Sequence, residues 1–258
     1  MSEHRTVFST GMDARMSERC VNALFKMEHV SSVAGSANPD RTHGGRRLGA
    51  GRKRTGVKRG GPHRRRAALS PPHPVHVTLR TVRDLPRLRQ RCFYEALRRV
   101  LVRYLDGKDF RVVHISIQHN HLHLLAEAAN EKALSRGMQS FAINAARAIN
   151  EAWGRGGKVF ASRYSSSQIK TQRYARNALS YVLNNWRRHR EDFFDGAARA
   201  AKLDEYSSAI SFDGWTKTYR RPADYDPLPV SAPRTDLLAF GWRQHGLLDP
   251  FERPGPIW

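Results

Sequence analysis

Cysteine is scarce in this chain. Cys20 and Cys92 are the only two in 258 residues, which excludes a disulfide framework and a cysteine-based zinc site and fits a reducing compartment. Long apolar runs are lacking too. No stretch approaches the roughly 18 residues that a membrane-spanning helix takes. The opening MSEHRTVFSTGMDARMSER has no apolar segment of the kind that drives secretion. The expectation is an intracellular, cytoplasmic protein without a membrane partner. Acid is the third shortage: 23 Asp and Glu stand against 45 Lys and Arg, a formal net charge of +22. An excess of that size points to a polyanionic partner, most often nucleic acid. Hydrophobic residues at 40% suffice for a core, and the length allows one substantial domain with tails or two small ones.

The basic charge is partly clustered. Residues 41–66 hold eleven Lys and Arg, no acid and many glycines. Such a segment has too little apolar surface to fold alone and reads as a disordered arm for phosphates, with Arg46, Arg47, Arg52, Lys53, Arg54, Arg64, Arg65 and Arg66 as DNA contacts. The bland reading is a solubilising tail. The segment Cys20–Val30 has weak helical character. Pro71-Pro72-His73-Pro74 then marks a boundary. Three regions result: a basic N-terminal arm at 1–70, a folded domain at 71–192, and an irregular extension at 193–258. The aromatic residues Trp215, Tyr219, Phe240 and Trp242 suggest that the extension docks on the domain.

Within the domain the apolar periodicity changes several times. Val75 to Arg80 alternates as a strand, and Arg87 to Leu105 has helical spacing. Phe110 to Ile117 and His121 to Glu127 read as a strand hairpin, and residues 131–153 as an amphipathic helix. Val159 to Arg163 and Ser167 to Lys170 are short extended segments, and residues 172–190 form a third helix. A short helix is expected from Asp236 to Gln244. The order β-α-β-β-α-β is the split, ferredoxin-like α+β arrangement, an antiparallel sheet with the first and third strands paired in its middle. The extra helix is then expected to cross the open face of the sheet.

Gln118-His119-Asn120-His121-Leu122-His123-Leu124-Leu125 carries the most specific chemistry. Alternation on a strand sends His121 and His123 to one face and Leu122 to the other. Two imidazoles side by side on a rigid element begin a divalent-metal site. In Tyr181-Val182-Leu183-Asn184-Asn185 the spacing i, i+4 places Tyr181 and Asn185 on one helix face. A tyrosine phenol is a competent nucleophile towards a phosphodiester and a fair leaving group afterwards. An amide oxygen from Asn185 is a hard ligand suited to Mg2+ or Mn2+ beside His121 and His123. Tyr174 is a rival nucleophile and Asn184 a rival ligand. Arg163, Arg173, Arg176 and Arg187 are candidate DNA contacts; the last three, with Arg188, surround the tyrosine helix and equally suit its solvated face. His76 and His114 are expected to face the sheet or solvent.

Asn120-His121-Leu122-His123 resembles the His-hydrophobic-His motif of HUH single-strand endonucleases, in the form found in single-tyrosine, insertion-sequence-200-like transposases. Tyr181 with Asn185, and Phe160-x-x-Arg163-Tyr164, resemble the REP-associated tyrosine transposase branch. The resemblance covers about residues 72–192, roughly half the chain. It implies a ferredoxin-like catalytic domain, a divalent metal, hairpin-bearing single-stranded DNA as substrate, a 5′-phosphotyrosine intermediate with a free 3′-hydroxyl, and a nucleoid-associated location. A homodimer that exchanges its tyrosine helices is compatible with it. Two other readings stay open. The pairs His76-Val77-Thr78 and His114-Ile115-Ser116 match the His-x-Thr/Ser units of metal-independent two-histidine phosphoesterases. A non-catalytic nucleic-acid binder would use the same sheet and leave Tyr181 dispensable.

Overall fold

The computed structural model of the chain describes residues 69–70, 73–193, 203–219, 223 and 225–255. The expected helix at Cys20–Val30 and the arm residues Arg46, Arg47, Arg52, Lys53, Arg54, Arg64, Arg65 and Arg66 lie outside them.

Four strands, β1 (Val75–Arg80), β2 (Phe110–Ile117), β3 (His121–Ala128) and β4 (Ser165–Gln168), form one sheet in the order β2-β3-β1-β4. All neighbours are antiparallel, with Thr78 opposite His123 and Arg80 opposite His121. The α+β, split βαβ architecture expected from the element order is therefore present. β2 and β3 are almost continuously buried, because both faces of the sheet are covered.

One face carries α1 (Arg91–Val102) and α2 (Glu131–Ala152). Val75, Val77, Leu79, Ile115, Ile117, Leu122 and Leu124 meet Phe93, Leu97, Leu101, Met138 and Phe141 there in one apolar cluster. Asn130 caps α2 by accepting from the Ala133 amide, 2.9 Å away, which satisfies one of the donors left open at a helix start. Gly137 lies against the Phe110 ring; a Cβ there would stand 2.1 Å from a ring carbon, so α2 seats on β2 only with glycine at this position. The helix expected over Arg87–Leu105 is shorter because its ends are used otherwise. Arg89 forks onto the Asp204 carboxylate and the Ile117 carbonyl, and Gln90 is extended.

The opposite face holds α3 (Gln172–Leu183) and α4 (Asn185–Arg188). Val113 and Leu125 of the sheet pack there against Ala175, Ala178, Leu179, Val182, Trp215, Leu238 and Trp242. Two features differ from the periodicity. A bulge in β2 falls between Val112 and His114, which shifts the strand's phase. It sends Val112, Ile115 and Ile117 to the α1/α2 core and His114 and Ser116 to the α3 face. The third helix is also not continuous to residue 190. Asn184 leaves helical geometry (φ −105°, ψ 15°) and donates its side-chain amide to the Asp249 carbonyl, 2.9 Å away, so α4 begins as a separate turn.

Leu203, Ala209, Phe212, Trp215, Leu238, Trp242 and Leu248 complete this second core, whereas Leu228 joins the first. Asp236–Gln244 is divided into α5 (Asp236–Ala239) and a 3-10 turn, Gly241–His245, ended by Gly246 at φ 87°. The stretch before the chain end grips the helix that bears Tyr181. Glu252 takes the Arg176 guanidinium at 2.9 Å and the Ser180 hydroxyl, and the Pro250 carbonyl takes Arg187 Nε at 2.7 Å. The Pro254 carbonyl takes Arg188 at 2.9 Å. Among the described residues no helix is long and apolar enough to cross a membrane.

Candidate active site

β3 delivers two imidazoles to the α3 face, and the register of the sheet adds a third. Thr78 stands opposite His123, and His76 follows two residues away along β1 on the same face. His76 Nε2 lies 3.1 Å from His123 Nδ1 and Thr78 Oγ1 lies 3.2 Å from the same nitrogen. His121 Nδ1 lies 2.7 Å from Asn120 Oδ1. Both β3 histidines thus have Nδ1 engaged by neighbours able to accept a proton. Their Nε2 atoms face one another at 2.9 Å.

α3 closes the site from above. The Tyr181 ring stands edge-on to His123 (centroids 5.1 Å apart) and to His76 (5.7 Å). Tyr181 is buried at 7% exposure. The guanidinium of Arg188 lies 5.5 Å from its ring centroid, and His189 lies 5.8 Å from His121. Tyr174 is half-buried seven residues earlier and interacts with Ser167 of β4. Tyr181 is the tyrosine that touches the histidines.

Burial sets the charge state of these groups. It lowers His76 and His121 to about 4, His121 further through the positive surroundings of His189 and Arg80. His123 is held well below the ordinary histidine value, first by burial and then by its two histidine neighbours. All three rings are neutral at pH 7, the form in which imidazole ligates a metal.

A divalent metal fits this donor set. Two ligands at about 2.1 Å and a right angle apart stand about 3.0 Å from each other, close to the 2.9 Å between the two Nε2 atoms. Asn185 lies one turn past Tyr181, fully buried, and neither of its amide atoms has a partner among the described residues. Its rival Asn184 has its amide nitrogen on the Asp249 carbonyl. Among the described residues no group of three His, Cys, Asp or Glu side chains is placed to hold a metal ion. The donors that the geometry brings together are the two imidazole nitrogens.

The remaining expected contacts are distributed unevenly. Arg163 and Arg173 are exposed. Arg176 is paired with Glu252. Arg187 is 3% exposed and bonded to Asp192 at 3.1 Å and to the Pro250 carbonyl, so it fixes the end of the tyrosine helix rather than facing solvent. His114 bonds the Ser208 hydroxyl at 3.1 Å and packs on Phe212. His76 and His114 flank Leu125 from opposite sides, so an apolar side chain separates the two His-x-Thr/Ser units. His119 turns away to Glu191, 3.0 Å off.

His76 was expected to face the sheet or solvent. It is instead the residue that joins the β3 histidines to Tyr181. The signal was the period-two phase shared with Thr78, readable only once the pairing of β1 with β3 is known.

The site is thus an antiparallel α+β sheet whose His-hydrophobic-His strand lies under a tyrosine-bearing helix. Residues 72–185 match the model of the family described as "Transposase IS200 like". That segment, less than half of the chain, is similar to this transposase family. No curated protein matches the chain. A solved structure of a REP-associated tyrosine transposase bound to a REP hairpin is similar at 15% identity and a TM-score of 0.40, over 50% of this chain and 74% of that one.

Proposed function

We propose that this chain is a metal-dependent single-stranded DNA endonuclease and strand transferase, acting on hairpin-bearing DNA through a 5′-phosphotyrosine at Tyr181. The observation that carries this reading is the convergence of the His121 and His123 Nε2 atoms, 2.9 Å apart, directly beside the Tyr181 ring.

His121, His123 and the Asn185 amide would hold Mg2+ or Mn2+. When bound, such an ion polarises the phosphate and offsets the charge that builds on its non-bridging oxygens. The protein's own residues position the reaction. Asn120 fixes the His121 ring through Nδ1, and His76 and Thr78 fix His123. These outer partners keep both Nε2 lone pairs directed into the site. Tyr181 is held by packing on His76 and His123, which confines its oxygen near the donors. The Arg188 guanidinium lies against the face of the ring.

In the cleavage step the phenolic proton passes to solvent and the Tyr181 oxygen attacks phosphorus. The bond from phosphorus to the 3′-oxygen breaks, and that oxygen leaves to become a free 3′-hydroxyl on taking up a proton. In rejoining, a 3′-hydroxyl attacks the same phosphorus and the Tyr181 phenolate leaves. No oxidant or nucleotide is consumed, because one phosphodiester is exchanged for another. Arg163 and Arg173 are proposed as DNA contacts from their exposure, and the basic arm as a further one.

The test is a covalent-adduct assay. Labelled hairpin oligonucleotides from the flanks of the gene are incubated with protein and Mn2+ or Mg2+ and run on a denaturing gel. A labelled protein band that is lost with EDTA, in Tyr181→Phe and in His121→Ala is the expected result. Tight binding with no band on any flank, in either metal, would leave only the non-catalytic binder.

A further inference from the structure

The strand that enters this site must leave it, and the surface next to His121 has a consistent chemistry. A cleft of about 450 Å³ opens at the end of β1, lined by Arg80, Arg83, Lys158 and Asn120. Asn120 is the residue whose side chain bonds His121, so the cleft begins at the edge of the candidate site. Arg80, Arg83 and Lys158 are all exposed, and the ion pairs among the described residues use none of them. Three unpaired cations around one concavity repel each other and attract a polyanion. A merely solvated surface would more commonly intersperse acids among them.

The cleft continues into a second one. Lys158 also lines an apolar pocket of about 590 Å³ between β1 and α2, with Phe160, Tyr164, Ile143 and Arg163. Ile143 is 45% exposed there. The two clefts are held in register by backbone. Thr81 bridges Phe160, the Val82 amide donates to the Val159 carbonyl, and the Ala161 amide donates to the Arg80 carbonyl. Cations that track a backbone, followed by aromatic faces on which bases stack, are the two elements of single-strand binding.

We propose that this continuous groove, from Arg80, Arg83 and Lys158 to Phe160 and Tyr164, is the path of the unpaired DNA strand flanking the scissile phosphate. Arg83 and Lys158 take its phosphates, and the aromatic pocket takes one of its bases. The inference rests on the proposed function for its direction out of the site, but the groove binds single strands whether or not Tyr181 cleaves them. A duplex is too wide and too fully stacked to offer the pocket a base.

The test measures affinity of the full chain for fluorescein-labelled oligothymidine across a salt series. Arg83→Ala with Lys158→Ala is compared with Arg99→Ala and Arg103→Ala, an exposed basic pair at the end of α1 that lines neither cleft. Each phosphate contact on a single strand contributes about 0.7 to the slope of log affinity against log salt. The groove pair is expected to flatten the slope by about 1.4, while the α1 pair leaves it unchanged. A matched duplex should lose no slope with the groove pair. In parallel, 5-bromouracil in the oligothymidine should photo-crosslink to a peptide containing Phe160 or Tyr164. Equal loss of slope with both pairs, equal loss on duplex, or no loss with the groove pair overturns the proposal, as does crosslinking confined to peptides outside the groove. The Tyr181 adduct is scored on the same wild-type preparation. An adduct with no groove effect sinks the groove alone, and a groove effect with no adduct sinks the proposed activity alone.

Discussion

Replacing His76 by Ala removes one of the two groups that hold His123 Nδ1. His76 Nε2 is 3.1 Å and Thr78 Oγ1 is 3.2 Å from that atom, both within hydrogen-bond reach of it. A net hydrogen bond contributes about 1 kcal/mol, equivalent to roughly five-fold in an equilibrium, and loss of an outer-shell partner typically lowers metal affinity about 10–100-fold. Because Thr78 remains, we expect His76→Ala to fall at the low end, near ten-fold weaker Mn2+ binding. Removing both groups with Thr78→Ala should approach 100-fold. The two losses are not expected to add, since they act on one atom. His76→Gln, which keeps an acceptor on a side chain of similar reach, should recover most of the affinity. The assay is Mn2+ titration followed by electron paramagnetic resonance of the free ion. Nitrogen NMR of the metal-free protein accompanies it and reports whether the His123 proton resides on Nδ1. Wild-type affinity in both the single and the double variant, with an unchanged His123 tautomer, would refute the view that β1 orients the β3 histidines.

The remaining expectations concern other parts of the same framework. Tyr181→Phe keeps the ring that packs on His76 and His123; it should abolish the covalent adduct while leaving oligonucleotide affinity and melting temperature near wild type, whereas Tyr174→Phe should keep the adduct. Arg187→Ala strips the buried partner from Asp192, which is 4% exposed in its side chain. Arg253 at 2.8 Å compensates in part, so a loss of about 3 kcal/mol is expected in urea unfolding, at the low end for a broken buried pair. His114 is lowered to about 4 by burial, so the unfolded chain, with a value near 6.5, binds the proton more readily. Its stabilising share is whole above pH 6.5 and is lost as pH falls towards 4, about 3 kcal/mol in all. His114→Gln should flatten that part of the pH–stability curve; an identical slope in both proteins would contradict it.

Much of this arrangement is legible in the sequence, and the exceptions have identifiable physical causes. β1 and β2 begin and end where alternation says, because turn-forming residues such as Asp106-Gly107 bound β2 locally. The His121/His123 pair is readable for the same reason: a strand has a fixed period. The β2 bulge is not, since Val112-Val113-His114 alternates no differently whether or not one residue is left unpaired, and only pairing with β3 decides it. The break at Asn184 is also hidden. Its cause is a bond to the Asp249 carbonyl, far along the chain, and helical periodicity carries no trace of it. Arg187 reads as one more surface cation in a basic helix, yet it is buried because the segment around Pro250 covers it. His76 follows the same rule. Its neighbours in space, His123 and Tyr181, are supplied by strand register and by a helix crossing the sheet. Local patterns thus fix elements and faces, while long-range pairing decides which polar groups meet.

The most direct measurement of the central claim is mass spectrometry of the protein after reaction with a hairpin-bearing single strand and Mn2+. The account predicts a peptide containing Tyr181 that carries the 5′-phosphate end of the cleaved DNA, together with a released strand ending in a free 3′-hydroxyl. Attachment at another residue, or cleavage that leaves no covalent link, would contradict it.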